Sequence, residues 1–274
     1  MNDWHTMSRE QRGLAYNNSA AVADAAAILA ARAQASQAFR GGGRGRLDIA
    51  YGPGERQRFD LFAAAEPGAP CLVFIHGGYW QMGGREAVSV LAEGPLAHGW
   101  SVAFPGYTLA PEASITQIVA EIHAALDWLA THGAAHGIAG KLLLSGHSAG
   151  GHLTALAASH PAVVAAMPVS GVFELGPIRD TPLNERLSLT DAEIAAFSPL
   201  RLPVVDRPMA VAYGTAELAA LVEDSRTLHA WRSAAHAPGP LLPVPRANHF
   251  DILDELRRPE GMLMRALLEL ARAG

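Results

Sequence analysis

Short apolar runs alternate with segments of helical period along most of the chain. Residues 71–75, 101–104, 141–144, 166–169, 209–213 and 241–244 are each four or five residues of strand type, short enough to be buried strands rather than helices. Most are followed by Gly or Pro and then by a segment of helical spacing, and that rhythm predicts a mainly parallel central sheet with helices on both faces. Upstream, the alternating stretches 47–51 and 59–62 flank Gly52-Pro53-Gly54 and predict an antiparallel hairpin at a sheet edge. The alanine-rich segment 8–39 stops at Gly41-Gly42-Gly43, which predicts a helical arm within residues 1–40. Residues 254–271 predict a final helix. Residues 173–200 break the rhythm: polar positions surround Leu183, Leu187, Leu189, Ile194 and Phe197 without a strand pattern. They predict a small, cap-like helical insertion over the top edge of the sheet that shapes the substrate pocket. With no internal repeat and no long linker, residues 1–274 read as one α/β domain,.

Composition narrows the classes. Half of the residues are hydrophobic and 17% are charged, which excludes wholesale disorder. Twenty-one Lys+Arg against 26 Asp+Glu leave a net charge of −5, so nucleic acid is not an expected partner. The single cysteine, Cys71, lies in an apolar run and reads as a small core side chain,. Residues 1–12 carry no basic start followed by an apolar stretch, and the apolar run 25–31 is bracketed by Asp24 and Arg32. A span needs about 20 apolar residues, so no membrane partner is expected and a cytoplasmic protein is the expectation.

Chemistry enters at Gly146-His147-Ser148-Ala149-Gly150, which follows the run 141–144 and opens a helical segment. A serine on a sharp strand-to-helix turn needs small neighbours two residues before and after it, and is then presented at the helix N-terminus. Ser148 is the candidate nucleophile. The run 71–75 ends in His76-Gly77-Gly78-Tyr79-Trp80; paired glycines after a strand can turn backbone N–H groups toward a developing oxyanion. Gly77, Gly78 and Ala149 are the candidate donors, with His76 part of the same turn and His147 and His152 supporting the serine turn.

A serine hydroxyl needs a base, and His249 follows the last strand run, where the chain order serine, acid, histidine requires it,. Glu217, three residues past Gly214, is the leading candidate for the acid, with Asp224 as its rival; Asp251 reads as a cap for the final helix. Tyr79, Trp80, Tyr107 and Phe250 are candidates to line a flat pocket for an aromatic group, with core packing as the alternative for each. The spacings of His132 with His136 and of His147 with His152 give no ligand set, and HExxH and CxxC are absent, so no metal is expected,. No phosphate-binding glycine motif follows a strand, so no nucleotide cofactor is expected,.

The motifs HGGYW at 76–80, YTLAPE at 107–112, GHSAGGHL at 146–153 and NHFDIL at 248–253 together resemble the α/β-hydrolase superfamily. Within it they resemble the arylformamidase (kynurenine formamidase) branch, near the hormone-sensitive-lipase-like esterases. The segments Tyr16-Asn17-Asn18 and 183–200 extend the likeness to nearly the whole chain. The resemblance implies a serine hydrolase without a cofactor, with Ser148, Glu217 and His249 at the triad positions; the family's usual acid is aspartate, and here a glutamate stands in that place. It also implies a small-molecule amide or ester as the partner. An aryl formamidase leads, a short-acyl carboxylesterase or N-acyl arylamine amidase is the alternative, and a non-catalytic binding protein of the same fold is the remote one. A homodimer is an open option.

Overall fold

The computed structural model describes residue 4, residues 6–237 and residues 239–273. Residues 1–3 and 5 of the N-terminal segment lie outside the described residues. In chain order the elements are α1 (Arg9–Ala15), α2 (Asn18–Ala21), α3 (Ala25–Gly41), β1 (Arg46–Ala50), β2 (Arg58–Phe62), β3 (Cys71–Ile75), α4 (Glu93–Ala97), β4 (Ser101–Pro105), α5 (Ile115–His132) and β5 (Leu142–His147). They continue with α6 (Ala149–Ala157), β6 (Val163–Val169), α7 (Asn184–Leu187), α8 (Asp191–Phe197), β7 (Val211–Gly214), α9 (Ala219–Ala234), β8 (Leu241–Val244), α10 (Asp254–Arg257) and α11 (Met262–Ala273).

The eight strands form one sheet in the order β1-β2-β4-β3-β5-β6-β7-β8. β2 pairs antiparallel with β1 and β4, and the pairs from β4 through β8 are parallel. Side chains of a strand alternate between faces, and the central strands feed two cores accordingly. Cys71, Val73, Ile75 and Leu144 join α5, α6 and α9 on one side. Leu72, Phe74 and Leu143 join α10 and α11 on the other. Both faces being covered explains why these strands read as continuous apolar runs instead of alternating ones.

The N-terminal arm divides where the sequence suggested one helix. The Asn17 side chain accepts the N–H of Ala20, capping α2, and Val22 is extended before α3 starts, so capping residues interrupt the alanine-rich stretch. The predicted final helix divides too, at Arg258-Pro259. Proline disfavours helical geometry in the residue before it, and Arg258 is extended (φ −75°, ψ 130°). The arm is tied to the hairpin by fully buried Asp60, whose carboxylate meets Arg40 Nε at 2.9 Å and Arg85 Nε at 3.2 Å; a buried carboxylate needs such partners.

The segment 173–200 is helical, as its pattern suggested. A capping box between Thr190 and Glu193 starts α8, and Thr116 at the start of α5 donates to Glu193 through its N–H and its hydroxyl. Leu187, Leu189 and Ile194 are buried in the same core as α5.

Candidate active site

β5 ends at His147 and α6 begins at Ala149, which leaves Ser148 alone on the turn with φ 57° and ψ −118°. Positive φ is costly for a residue with a Cβ and persists only where the surroundings hold it. Here the Ser148 N–H donates to the Val169 carbonyl at 2.9 Å, and the Ser148 carbonyl accepts from the His152 N–H at 3.0 Å. The flanking glycines are required by contact: a Cβ on Gly146 would lie 2.4 Å from the Gly150 carbonyl oxygen, and one on Gly150 would lie 2.1 Å from that of Ile75. The serine is 5% exposed and lines a cavity.

The turn after β3 backs directly onto this serine. A Cβ on Gly77 would stand 2.6 Å from the His147 carbonyl oxygen and 3.1 Å from Ser148 Cβ. Gly78 has φ 123°, and its carbonyl accepts the N–H groups of Gln81 and Met82, closing the turn. Ala149, the first residue of α6, carries an N–H that a helix leaves without an internal acceptor. The glycine pair and the start of α6 therefore both lie against the Ser148 turn.

His249 sits on the loop after β8, buried, with Nδ1 3.0 Å from Glu217 Oε2. Glu217 has no exposed side-chain surface; its Oε1 accepts from the Gly214 N–H at 2.7 Å and from Ser170 Oγ at 2.5 Å. The rival carboxylate is engaged elsewhere, since Asp224 accepts the Phe173 N–H at 2.9 Å. Asp251 does not cap the final helix. Its carboxylate accepts from the N–H and Nδ2 of Asn248, and Asn248 Oδ1 accepts the N–H groups of Phe250 and Asp251, so this turn fixes the histidine loop.

Ser148, His249, Gly77 and Gly78 share a cavity of about 320 Å³ with Tyr79 and Phe250. Two of the four aromatic candidates are absent from its wall. Trp80 is 1% exposed and donates through Nε1 to His152 Nδ1 at 3.2 Å. Tyr107 is fully buried, stacks on His76 at 4.3 Å and donates to the His76 carbonyl. Both serve the core beneath the turn, where the indole N–H and the phenol O–H each find a buried partner,.

The predicted insertion does not line this cavity either; its Pro182 and Leu183 border an adjoining outer groove of about 720 Å³ that shares Ser19, Tyr79 and Met82 with it. The cavity is roofed instead by Ser19, Leu29, Arg32 and Ala33 of the N-terminal arm. Tyr79 Oη donates to the Tyr16 carbonyl at 2.9 Å and accepts from the Asn18 N–H at 3.0 Å, while Arg32 Nη2 donates to the Phe250 carbonyl at 2.5 Å. The arm is thus stitched to the glycine turn and to the histidine loop. Leu29, Arg32 and Ala33 stand three and four residues apart, which places them on one helix face; that spacing was the available sequence signal. Among the described residues no group of three His, Cys, Asp or Glu side chains is placed to hold a metal ion.

A family model described as BD-FAE matches residues 60–165. A kynurenine formamidase of Danio rerio is 27% identical over 98% of this chain and 99% of its own. An esterase of Mycobacterium tuberculosis, LipC, is 27% identical over 77% of this chain and 61% of its own. A crystal structure from Silicibacter sp. TM1040, named provisionally as a thioesterase, is 32% identical, covers 93% of this chain and 97% of its own, and superposes with a TM-score of 0.82. The chain belongs to the α/β-hydrolase superfamily, in its arylformamidase-like esterase branch. It is a hydrolase of arylformamidase or esterase type. The candidate site of this hydrolase lies beyond the carboxyl ends of β3, β5, β7 and β8, where ligands bind in parallel sheets. Among the described residues no helix is long and apolar enough to cross a membrane.

Three histidines of this hydrolase stay neutral in the fold. Burial holds His76 and His152 down at about 4 and His147 well below its ordinary value, where neighbouring His249 and Arg32 act in the same direction. Burial also pushes the Asp224 carboxyl up to about 7. The signs oppose: below about pH 6.5 the unfolded chain protonates the histidines and the folded chain does not, whereas the folded chain alone holds the Asp224 proton. His123 is lowered as well and Asp251 raised, so the histidines outnumber the carboxyls and stability should fall as the pH drops from 6 to 5. Denaturant midpoints at pH 7.5, 6 and 5 read this directly; stability that is level or rises toward pH 5 would contradict it.

Proposed function

We propose that this hydrolase removes a small acyl group from an aryl amide, with an aryl formamide as the leading substrate, through an acyl-enzyme on Ser148. The observation that supports it most is the Glu217–His249 pair at 3.0 Å, with His249 on the wall of the cavity that Ser148 also lines. A carboxylate on the Nδ1 side fixes the tautomer that leaves Nε2 free to take a proton. His249 removes the Ser148 proton as Oγ bonds to the acyl carbon, and the carbonyl electron pair moves to oxygen, facing the N–H groups of Gly77, Gly78 and Ala149. The pair returns, the C–N bond breaks, and His249 hands its proton to the departing arylamine. Water, deprotonated by His249, then attacks the acyl carbon and releases the free acid, formate for a formamide, with the proton restored to Ser148.

The amide reading is favoured by the relative matched along almost its full length, which is named a kynurenine formamidase. Ester cleavage is the second reading, favoured by the mycobacterial esterase.

The test is kcat/KM for N-formylkynurenine, 4-nitrophenyl acetate and an N-acetylated arylamine, with Ser148→Ala as the blank. The expected result is a preference for the formamide of at least about ten-fold over the acetamide, since one extra methyl group in a tight acyl site is worth about 1–3 kcal/mol. Rapid ester cleavage with negligible formamide turnover would overturn the amide reading.

A further inference from the structure

We infer that Arg32 of the N-terminal arm is a specificity-determining residue that selects substrates carrying a carboxylate on the leaving group. The inference rests on the reading of the Ser148 cavity as the substrate site.

Arg32 is 8% exposed and forms part of the wall of a cavity otherwise lined there by Leu29, Phe74, Val88, Phe250 and Leu253. Its described partners are few. Nη2 donates to the Phe250 carbonyl at 2.5 Å, and the nearest carboxylate, Asp254, lies 3.7 Å away with its side chain 53% exposed. Asp254 and Asp251 offset part of the charge on Arg32, and the Asp254 contact, like the Phe250 one, is made through Nη2. A guanidinium carries five N–H donors, remains protonated in proteins, and matches a carboxylate with its planar fork. Bracing one carbonyl uses a single donor and needs no charge, so the contact with Phe250 accounts for the orientation of Arg32 and not for the choice of arginine.

The nearby imidazoles do not compete for an anion. His147 is held neutral by its burial, and His249 is committed to Glu217 through Nδ1. Asp251 is folded back on Asn248. The fixed positive charge on the wall is therefore that of Arg32. With the acyl carbon at Ser148, an aromatic ring across the apolar wall brings a ring substituent to the arm. The substrate class that satisfies all of these groups is an N-acyl arylamine with a carboxylate on the aryl portion.

Matched pairs test this: 3-formamidobenzoate against formanilide, and 3-acetoxybenzoate against phenyl acetate. Each is measured with the full-length wild-type chain, Arg32→Met and Arg32→Lys. The wild type should prefer the anionic member of each pair. In Arg32→Met that ratio of kcat/KM should fall roughly 10- to 100-fold, the range for losing a hydrogen bond to a charged group, mainly through KM, and Arg32→Lys should recover part of it. A general fall in activity from a loosened Phe250 loop would lower both members of a pair and leave the ratio unchanged; that result, or no anionic preference in the wild type, overturns the inference. If the esters are cleaved and the formamides are not, the ester pair still decides the role of Arg32, while the amide reading fails separately.

Discussion

Ser148→Ala is expected to lower kcat by about 10⁶, because a nucleophile and base that act as a unit lose nearly the whole effect when either is removed. The substitution deletes one oxygen atom and keeps the Cβ, so the turn between β5 and α6, held by the Val169 and His152 main-chain bonds, is retained. The double variant Ser148→Ala with His249→Ala should be scarcely slower than the single one, since the residual rate then comes from binding and main-chain donors alone. Product formation over hours at high enzyme concentration, with folding checked by thermal melting, measures both. A loss of less than about 100-fold, the scale of one general acid–base contact, would assign the attack on the acyl carbon to another group.

Glu217→Gln should lower kcat by about 10⁴, the cost of presenting a base in the wrong tautomer. The environment of the carboxylate dictates this. Glu217 Oε1 accepts from Gly214 N–H and Ser170 Oγ, so a glutamine places its carbonyl oxygen there and turns its NH₂ toward His249 Nδ1. That ring nitrogen must then accept, which puts the proton on Nε2 and leaves no lone pair for Ser148. KM should change far less than kcat. Glu217→Asp keeps the charge but falls one methylene short, and should lie between the wild type and the glutamine variant. An equally slow Asp224→Asn with an active Glu217→Gln would reverse the assignment of the acid.

Local pattern carried much of the fold. The runs 71–75 and 241–244 coincide with β3 and β8; β3 is buried throughout, and a strand covered on both faces leaves an unbroken apolar stretch bounded by turn residues. Gly146 and Gly150 could be read from spacing alone, since their lack of a side chain answers to backbone oxygens nearer than 2.5 Å. What escaped depends on contacts between distant segments. Glu217 and Asp224 look alike as carboxylates after β7, and only the position of the histidine loop separates them. Trp80 and Tyr107 look like pocket residues beside the glycine turn, and only the third dimension turns them inward onto His152 and His76. The arm hid its part for the same reason: nothing local in an alanine-rich helix tells that Arg32 reaches the carbonyl 218 residues further on.

The most direct test of Ser148 as the nucleophile is stoichiometric labelling with a fluorophosphonate, followed by peptide mapping of the modified chain. One label per chain on the peptide containing Ser148, formed quickly in the wild type and far more slowly in Glu217→Gln, is the predicted result. A label on another side chain, or none on an enzyme that still turns over its acyl substrate, would contradict it.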